Sequence, residues 1–468
     1  MNNNRLKTLV CPNELSKGNI IEKAIVALPF ILFLIYAVCA SCLPIAQSPD
    51  EYLRLKVPFF IVDNGYLPSG FEESIRHPTW GNSYGFTTYG ASLFSVVFIK
   101  IASFFTAESA ALTFAARLPS CIFGSLTIAF LLKASKLLKF NSISRLLAGA
   151  CLGLLPQFVF LSSYHNADIF SACCACLVIY SWVRVIYQGW SPRTCAWLGA
   201  SLGLLALSYY FAFILIPLSI VFFCFTAKWQ GLGFKKSFTY AISIFLIAFA
   251  IAGWFYIRNF IIYDGDFFGL NAFSQSGEMY GLDEYKPSNY LSPKKAGYSF
   301  IDVLFSKLWL STTFKSSISC LGYMKFFLPS WLYLLCLILI IVSLATSFKI
   351  SFINRIKRNS VDKKDRELIL LWVLFIITVV GVVLISAYRA WAVDYQAQGR
   401  YIIVAWLPVI FSFGISFNYF SGNVLKSSKS RIIFMLACFA ILTVIIVFAI
   451  ISFWPQGYAG IMAENTTP

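Results

Sequence analysis

The sequence predicts an all-α integral membrane protein with about eleven transmembrane helices and with interfacial helices in long outer loops. Three observations predict it. Hydrophobic residues make up 59% of the 468 positions and charged residues 12%, about half the charged share of a soluble domain; mean hydropathy is +0.75. The apolar residues come in runs of about 20, the length that crosses a bilayer. Basic residues collect in alternate short loops, as the positive-inside rule places them.

Nine runs read as spans: 24–46, 111–132, 145–162, 168–187, 238–257, 328–348, 367–387, 401–420 and 432–453. Segment 194–226 lies between Arg193 and Lys228, both inner by charge, so it crosses an even number of times. Its 33 residues make about 50 Å of helix, short of the roughly 60 Å of two full crossings. A hairpin of short helices broken near Ser208-Tyr209-Tyr210 is therefore expected. Segment 89–106 is apolar enough to span, but a crossing there would invert every later basic loop. It is read as an interfacial helix. The inner loops carry Lys133, Lys136, Lys139, Arg145, Lys235, Lys236, Arg355, Lys357 and Arg358.

This arrangement puts the N-terminus inside, the C-terminus outside and three substantial segments on the outer face: 47–110, 258–327 and 388–400. The chain divides into an N-terminal transmembrane module, 1–257, that includes loop 47–110, a second outer loop, 258–327, and C-terminal helices, 328–468. The first apolar run is longer than a signal-peptide core and lacks a small-residue cleavage site, so it is expected to be retained.

The net charge of +17 follows from the inner loops and implies no nucleic-acid partner. Thirteen cysteines show no metal-ligand spacing, and Cys173, Cys174 and Cys176 fall inside an apolar helix, where Cys acts as a small hydrophobe. With two histidines in the chain, no cofactor and no divalent metal is indicated.

Candidate chemistry lies at the outer ends of the spans. Asp50 and Glu51 follow the first span; a carboxylate at the interface is partly desolvated and gains basicity. The competing role is helix capping. His165, Asn166 and Asp168 crowd the turn before the fourth span, where capping explains one polar residue better than three. Arg258, Asn259, Asp264 and Asp266 follow the span 238–257, and Arg389, Gln398 and Arg400 border the last outer segment. Arg76 and His77 add a basic site in the first loop. Each outward arginine either snorkels or grips a phosphate. Cations beside acids on one face point to an anionic ligand at the outer leaflet. Trp80, Tyr84, Tyr89, Tyr280, Tyr285 and Tyr290 are sugar-stacking candidates, against the interfacial aromatic belt as the ordinary role.

The pattern resembles the GT-C superfamily of polytopic glycosyltransferases. The matching pieces are Pro49-Asp50-Glu51 with Gly65 and Pro68, Arg117-Leu118-Pro119-Ser120, and Pro156 with Asp168. It is similar also to the bacterial DUF2142 membrane proteins over roughly residues 20–410. That likeness rests on Asp50-Glu51, Pro156-Gln157 with Asn166 and Asp168, Arg258-Asn259 with Tyr263-Asp264-Gly265-Asp266, and Gln398-Gly399-Arg400-Tyr401.

The resemblance implies a glycosyltransferase of the bacterial inner membrane with a periplasmic active site. It would move a sugar from a polyprenyl-phosphate donor to a cell-envelope glycan or lipid-linked saccharide, such as lipopolysaccharide O-antigen, with inversion. Asp50 would be the general base, Glu51 its neighbour and Asp168 a second acid. Arg258, Arg400 and Arg389 would hold the donor phosphate, and His77, His165, Asn166, Asn259, Asp264, Asp266 and Gln398 would line the substrate site. No large soluble domain follows the last span, so transfer to protein sequons is not expected. Two other readings compete: an O-antigen polymerase or ligase using polyprenyl-diphosphate oligosaccharides, and a lipid-linked sugar transporter or flippase. Transporters place charges at the membrane midplane, whereas here the spans are nearly charge-free.

Overall fold

The computed structural model describes residues 12–356, 362–425 and 427–464. Lys357 and Arg358 of the expected inner loops, and the two chain ends, lie outside the described residues. The chain is helical almost throughout. In order the helices are α1 (Pro12–Cys42), α2 (Glu51–Asn64), α3 (Gly90–Ser103), α4 (Ser109–Leu137), α5 (Ser142–Gly153), α6 (Pro156–Ser162), α7 (Asp168–Gln188), α8 (Pro192–Ala206) and α9 (Leu215–Trp229). There follow α10 (Phe234–Ile262), α11 (Leu270–Tyr280), α12 (Phe300–Leu304), α13 (Trp309–Ile318), α14 (Ser330–Phe348), α15 (Asn354–Ile356), α16 (Lys363–Ala392), α17 (Trp406–Asn423) and α18 (Ser428–Glu464). One two-stranded hairpin, β1 (Cys320–Leu321) with β2 (Phe326–Phe327), pairs antiparallel.

Nine helices among the described residues are long and apolar enough to cross a bilayer: α1, α4, α7, α9, α10, α14 with its continuation to Ile356, α16, α17 with its leading turn, and α18. The pair α5–α6, bent by 65°, makes a tenth. The bend falls before Pro156, which lacks the N–H that would continue α5. At the end of α5, the Gly153 carbonyl accepts a hydrogen bond from the Tyr36 hydroxyl at 2.7 Å. The eleventh expected crossing is α8, whose 15 residues make about 22 Å of helix. The break between α8 and α9 falls at Leu207–Ile214, around a single turn at Tyr210–Ala212, as the length argument requires. α3, an apolar helix of 14 residues, packs on α2 and α4.

α7 is the core of the bundle and is buried along nearly its whole length against α4, α8 and α9. Its run Ala172-Cys173-Cys174-Ala175-Cys176 presents small side chains that let neighbours approach, and its cysteines are buried and free. Gly199 and Gly203 form a small-residue stripe on α8. A Cβ on Gly203 would lie 2.8 Å from Ile251 Cβ of α10, so the stripe allows the close α8–α10 packing.

The ends of α1, α6, α8, α10 and α16 meet the starts of α4, α7, α9 and α17 at one end of the bundle. The outer segments knit together over that end: Leu282 N–H donates to the Thr79 carbonyl at 3.0 Å and Ser276 Oγ to the Gly81 carbonyl at 2.8 Å. Lys136 in the last turn of α4, Lys139 in the α4–α5 turn, and Lys235 and Lys236 in the first turn of α10 sit at the opposite end.

Candidate active site

Asp50 owes its position to the way α1 stops. Pro44 ends the helix, a single turn covers Ile45–Gln47, and α2 restarts at Glu51. Asp50 occupies the N-cap position of α2 but takes the left-handed conformation at φ 61°, and its side chain caps nothing. Asp is among the few residues that tolerate this region. The carboxylate turns instead onto Arg400, with Oδ2 2.5 Å from Nη2. The Asp50 N–H lies 3.4 Å from the Tyr323 hydroxyl, which the β1–β2 turn presents. Burial pushes the Asp50 carboxyl up, but the charges of Arg400 and Arg54 outweigh it and bring it down to about 2.

Glu51 has a different role from the expected one. It is fully buried and held in a fork by Arg117, Nε to Oε1 at 2.8 Å and Nη2 to Oε2 at 2.6 Å. Arg117 also donates to the carbonyls of Ala40 and Leu43, and the His165 N–H donates to Glu51 Oε1 at 2.9 Å. Glu51 therefore ties the end of α1, the start of α2, α4 and the turn before α7 together. Three structural donors, with full burial, give it a structural role in place of the expected catalytic one. His165 is corrected likewise. It is 2% exposed, its Nδ1 lies 3.0 Å from Ser95 Oγ, and burial, with Arg54 and Arg117 nearby, lowers it to about 3. Asn166 is fully buried and caps α7 through Oδ1 to the Ile169 N–H, while its amide donates to the carbonyls of Leu161 and Tyr164. It has no group left for substrate.

Around Asp50 stands a buried charged cluster. Arg54, one turn along α2, is 6% exposed and stacks on Tyr84 at 4.3 Å and Tyr209 at 5.6 Å. Asp168, 2% exposed at the first position of α7, stands within electrostatic reach of Arg400, Arg54 and Asp50. Arg400 Nη2 also bonds the Tyr401 hydroxyl at 3.1 Å. Arg389 faces the Tyr210 ring at 5.3 Å, and Tyr209 and Tyr210 lie 4.6 Å apart at the α8–α9 break. Burial pushes the Tyr84 and Tyr164 hydroxyls well above their ordinary range, so both remain protonated.

Six buried polar atoms in this cluster have no partner: Arg54 Nε, Tyr164 Oη, Asp168 Oδ2, Tyr210 Oη, Arg389 Nε and Arg400 Nε. Buried polar groups are almost always paired, because each one left bare costs about 1–3 kcal/mol. Their convergence marks a space shaped for a polar, charged guest. A cleft lined by Pro49, Gln157, Tyr164, Met324, Gln398 and Arg400 opens beside it. Gln398 thus borders the site, with its amide turned to Gln396.

The other expected residues stand elsewhere. Arg258 donates to the Pro68 carbonyl and lies over the Tyr89 ring, and it makes no bond to the Asp50 cluster. Asn259 bonds Arg258 and the Phe267 carbonyl. Asp266 caps α11 through the N–H groups of Asn271 and Ala272, and Asp264 is exposed in the preceding turn at φ 49°. These four residues shape the α10–α11 corner. His77 Nδ1 accepts from the Thr79 and Trp80 N–H groups. Burial lowers its pKa, against the pull of Asp50. The sugar-stacking candidates are largely occupied with one another: Trp80 packs on Tyr285 and Tyr290 at 5.1 and 5.2 Å, and Tyr280 lies under Arg76.

Sequence reasoning missed Arg54 and Tyr164, and gave Tyr84, Tyr209 and Arg117 other parts: a sugar-stacking candidate, a helix break and a motif match. A signal for Arg54 existed: it lies four residues after Asp50, on the same helix face. Among the described residues no three His, Cys, Asp or Glu side chains form a metal-binding group. The two carboxylates that face the space, Asp50 and Asp168, stand among arginines.

A family model described as dolichyl-phosphate-mannose-protein mannosyltransferase matches residues 95–256. No curated protein sequence matches. The apo oligosaccharyltransferase of Archaeoglobus fulgidus superposes with a TM-score of 0.56 at 14% identity, covering 90% of this chain and 55% of that one. The archaeal oligosaccharyltransferase AglB from the same organism, in complex with an inhibitory peptide and a dolichol-phosphate, gives 0.53 at 13%, with shares of 90% and 55%. ArnT from Cupriavidus metallidurans bound to undecaprenyl phosphate gives 0.50 at 13%, with shares of 89% and 63%. The chain thus spans little more than half of the oligosaccharyltransferase and under two thirds of ArnT. At these identities the likeness is one of fold.

Proposed function

We propose that this chain, a membrane protein of the GT-C superfamily, is a glycosyltransferase that takes its sugar from a polyprenyl-phosphate-linked donor. The observation that supports the reading is the cluster of Asp50, Asp168, Arg54, Arg389 and Arg400 with its buried, unpartnered polar atoms. The AglB and ArnT structures of similar fold hold dolichol-phosphate and undecaprenyl phosphate.

In this reading the acceptor hydroxyl attacks the anomeric carbon from the face opposite the phosphate, and the C1–O bond to phosphate breaks. The bonding pair leaves with the phosphate, and the configuration inverts. Asp50 takes the hydroxyl proton, and Asp168 orients the acceptor. Arg400 and Arg389 neutralise the charge gathering on the departing phosphate. Asp50 is a weak base while paired to Arg400. Donor phosphate on Arg400 offsets that guanidinium's charge. Burial, the largest upward influence on Asp50, then raises its basicity in the ternary complex.

The acceptor in this reading is a cell-envelope glycan, with O-antigen as the lead candidate. By the positive-inside rule, the basic residues at the far end of the bundle support a site on the periplasmic face of the inner membrane and a cytoplasmic N-terminus. The test uses purified protein in lipid with a panel of polyprenyl-phosphate sugars and acceptor glycans, comparing wild type with Asp50→Asn. Transfer by wild type and a loss of about 10²–10⁴-fold in the variant is expected. Equal activity of the two would remove Asp50 as the base. No transfer from any monophosphate donor would remove the donor class.

A further inference from the structure

Each arginine at the site end of the bundle has an identifiable occupation except two. Arg117 is spent on Glu51, Arg400 on Asp50 and Tyr401, and Arg258 on the Pro68 carbonyl. Arg389 and Arg54 make no side-chain hydrogen bond or ion pair among the described residues. Arg389 is half-buried and can be solvated. Arg54 is 6% exposed, with its Nε buried and bare. An unpaired buried guanidinium is costly, and stacking on Tyr84 and Tyr209 satisfies its faces but none of its N–H groups.

Asp168 is its electrostatic neighbour, yet the two form no ion pair, and Asp168 Oδ2 is itself unpartnered. Each therefore keeps a buried polar atom, Arg54 Nε and Asp168 Oδ2, that a guest between them can reach. With its Cζ 4.3 Å from the Tyr84 ring centre and 5.6 Å from that of Tyr209, the planar guanidinium offers the two-pronged contact that phosphate accepts. Arg54 and Arg400 balance Asp50 and Asp168, and Arg389, over the Tyr210 ring at the edge of the cluster, adds one further positive charge. The surplus of one positive charge matches the single negative charge of a sugar phosphodiester. Its phosphate-monoester product, with a second charge, would be held more firmly than the donor.

We infer that Arg54 binds the phosphate of the lipid-linked donor, a role that rests on the donor class proposed above. Arg54 then fixes the leaving group beside Asp50, one turn away on α2, and Tyr209 and Tyr210 at the α8–α9 break bring the same group into reach of Arg389.

The test measures binding of undecaprenyl phosphate, and of undecaprenol as its uncharged control, to the full-length protein in nanodiscs. Arg54→Gln should weaken undecaprenyl phosphate binding about tenfold or more, with undecaprenol unchanged. Arg54→Lys should restore part of the loss, because charge returns without the fork. Arg54→Gln binding the phosphate as wild type does, while wild type prefers the phosphate over undecaprenol, would overturn the role of Arg54 alone. An equal loss for both lipids in Arg54→Gln would show a collapsed pocket and overturn it too. Wild type binding both lipids alike would bring down the donor class, and Arg54's role with it.

Discussion

Arg400 Nη2 lies 2.5 Å from Asp50 Oδ2, joining residues 350 positions apart. The pair fastens the start of α17 to the break after α1, and Arg400, 4% exposed, carries the more buried charge. The folded carboxyl sits at about 2 against an ordinary 3.8, so the folded state holds its proton less tightly. The pair's contribution, about 2 kcal/mol, is complete above pH 4 to 5 and disappears as pH falls through about 2. Thermal unfolding of wild type and Asp50→Asn in detergent should therefore differ by a constant margin from pH 8 to 5. The margin should narrow below pH 4; one that persists at pH 3 would contradict the pairing.

His165 works over a different range. Buried and lowered to about 3 from 6.5, it stays neutral in the fold while the unfolded chain gains a proton. Its stability contribution is complete above pH 6.5 and declines as pH falls toward 3, by about 1.4 kcal/mol per pH unit. Wild type should lose about 2 kcal/mol between pH 7.5 and 5 from this group. His165→Asn should be less stable at pH 7.5 but show a flatter melting temperature against pH. Parallel curves for the two proteins would mean that His165 takes up its proton over the same pH range in the fold as in the unfolded chain.

The bundle was largely legible because lipid demands long apolar helices and charge bookkeeping fixes their alternation. The short-helix hairpin followed from counting residues between Arg193 and Lys228. The same sidedness put Asp50, Asp168, Arg389 and Arg400 on one face, and the fold brings these four together. Division of labour among neighbours was not legible. Asp50 and Glu51 are adjacent acids, but one faces the cluster and the other is claimed by an arginine 66 positions later. His165 and Asn166 are consumed by the turn that delivers Asp168. Arg258 looked like a phosphate ligand because its partner, a backbone carbonyl 190 positions earlier, leaves no trace in side-chain identity. Arg54 was overlooked because α2 is short and its two rings come from distant segments.

Glu51 and Arg117 form a buried pair, so losing one partner leaves the other's charge bare. Glu51→Gln or Arg117→Met should each cost about 3–5 kcal/mol, seen as a fall in melting temperature and in yield of monodisperse protein. The double variant Glu51→Leu with Arg117→Met should be more stable than either single variant. It should also recover transfer in proportion to the folded fraction, because Asp50 is intact. A double variant that is stable but inactive would return a direct chemical role to Glu51.

Gly399 controls where Arg400 sits. It precedes Arg400 in the turn Gly399–Ala405, and its N–H donates to Ser316 Oγ at 2.7 Å. A Cβ there would lie 2.0 Å from Ser317 N and 2.3 Å from Ser317 Cα at the end of α13. Both obstacles are backbone, so no rotamer change relieves the clash, and the turn must move away from α13 and take Arg400 with it. A displacement of about 1 Å in a positioning group costs roughly 10²-fold in rate. Gly399→Ala should therefore lose transfer on that order. Gly422→Ala, near the end of α17 and with nothing within 4 Å of the added Cβ, gains helix propensity. It should keep wild-type activity and unfold at the same temperature or slightly higher. If Gly399→Ala keeps wild-type rates, α13 must yield instead, and the tight packing of the turn on α13 would not be what sets the Asp50–Arg400 contact.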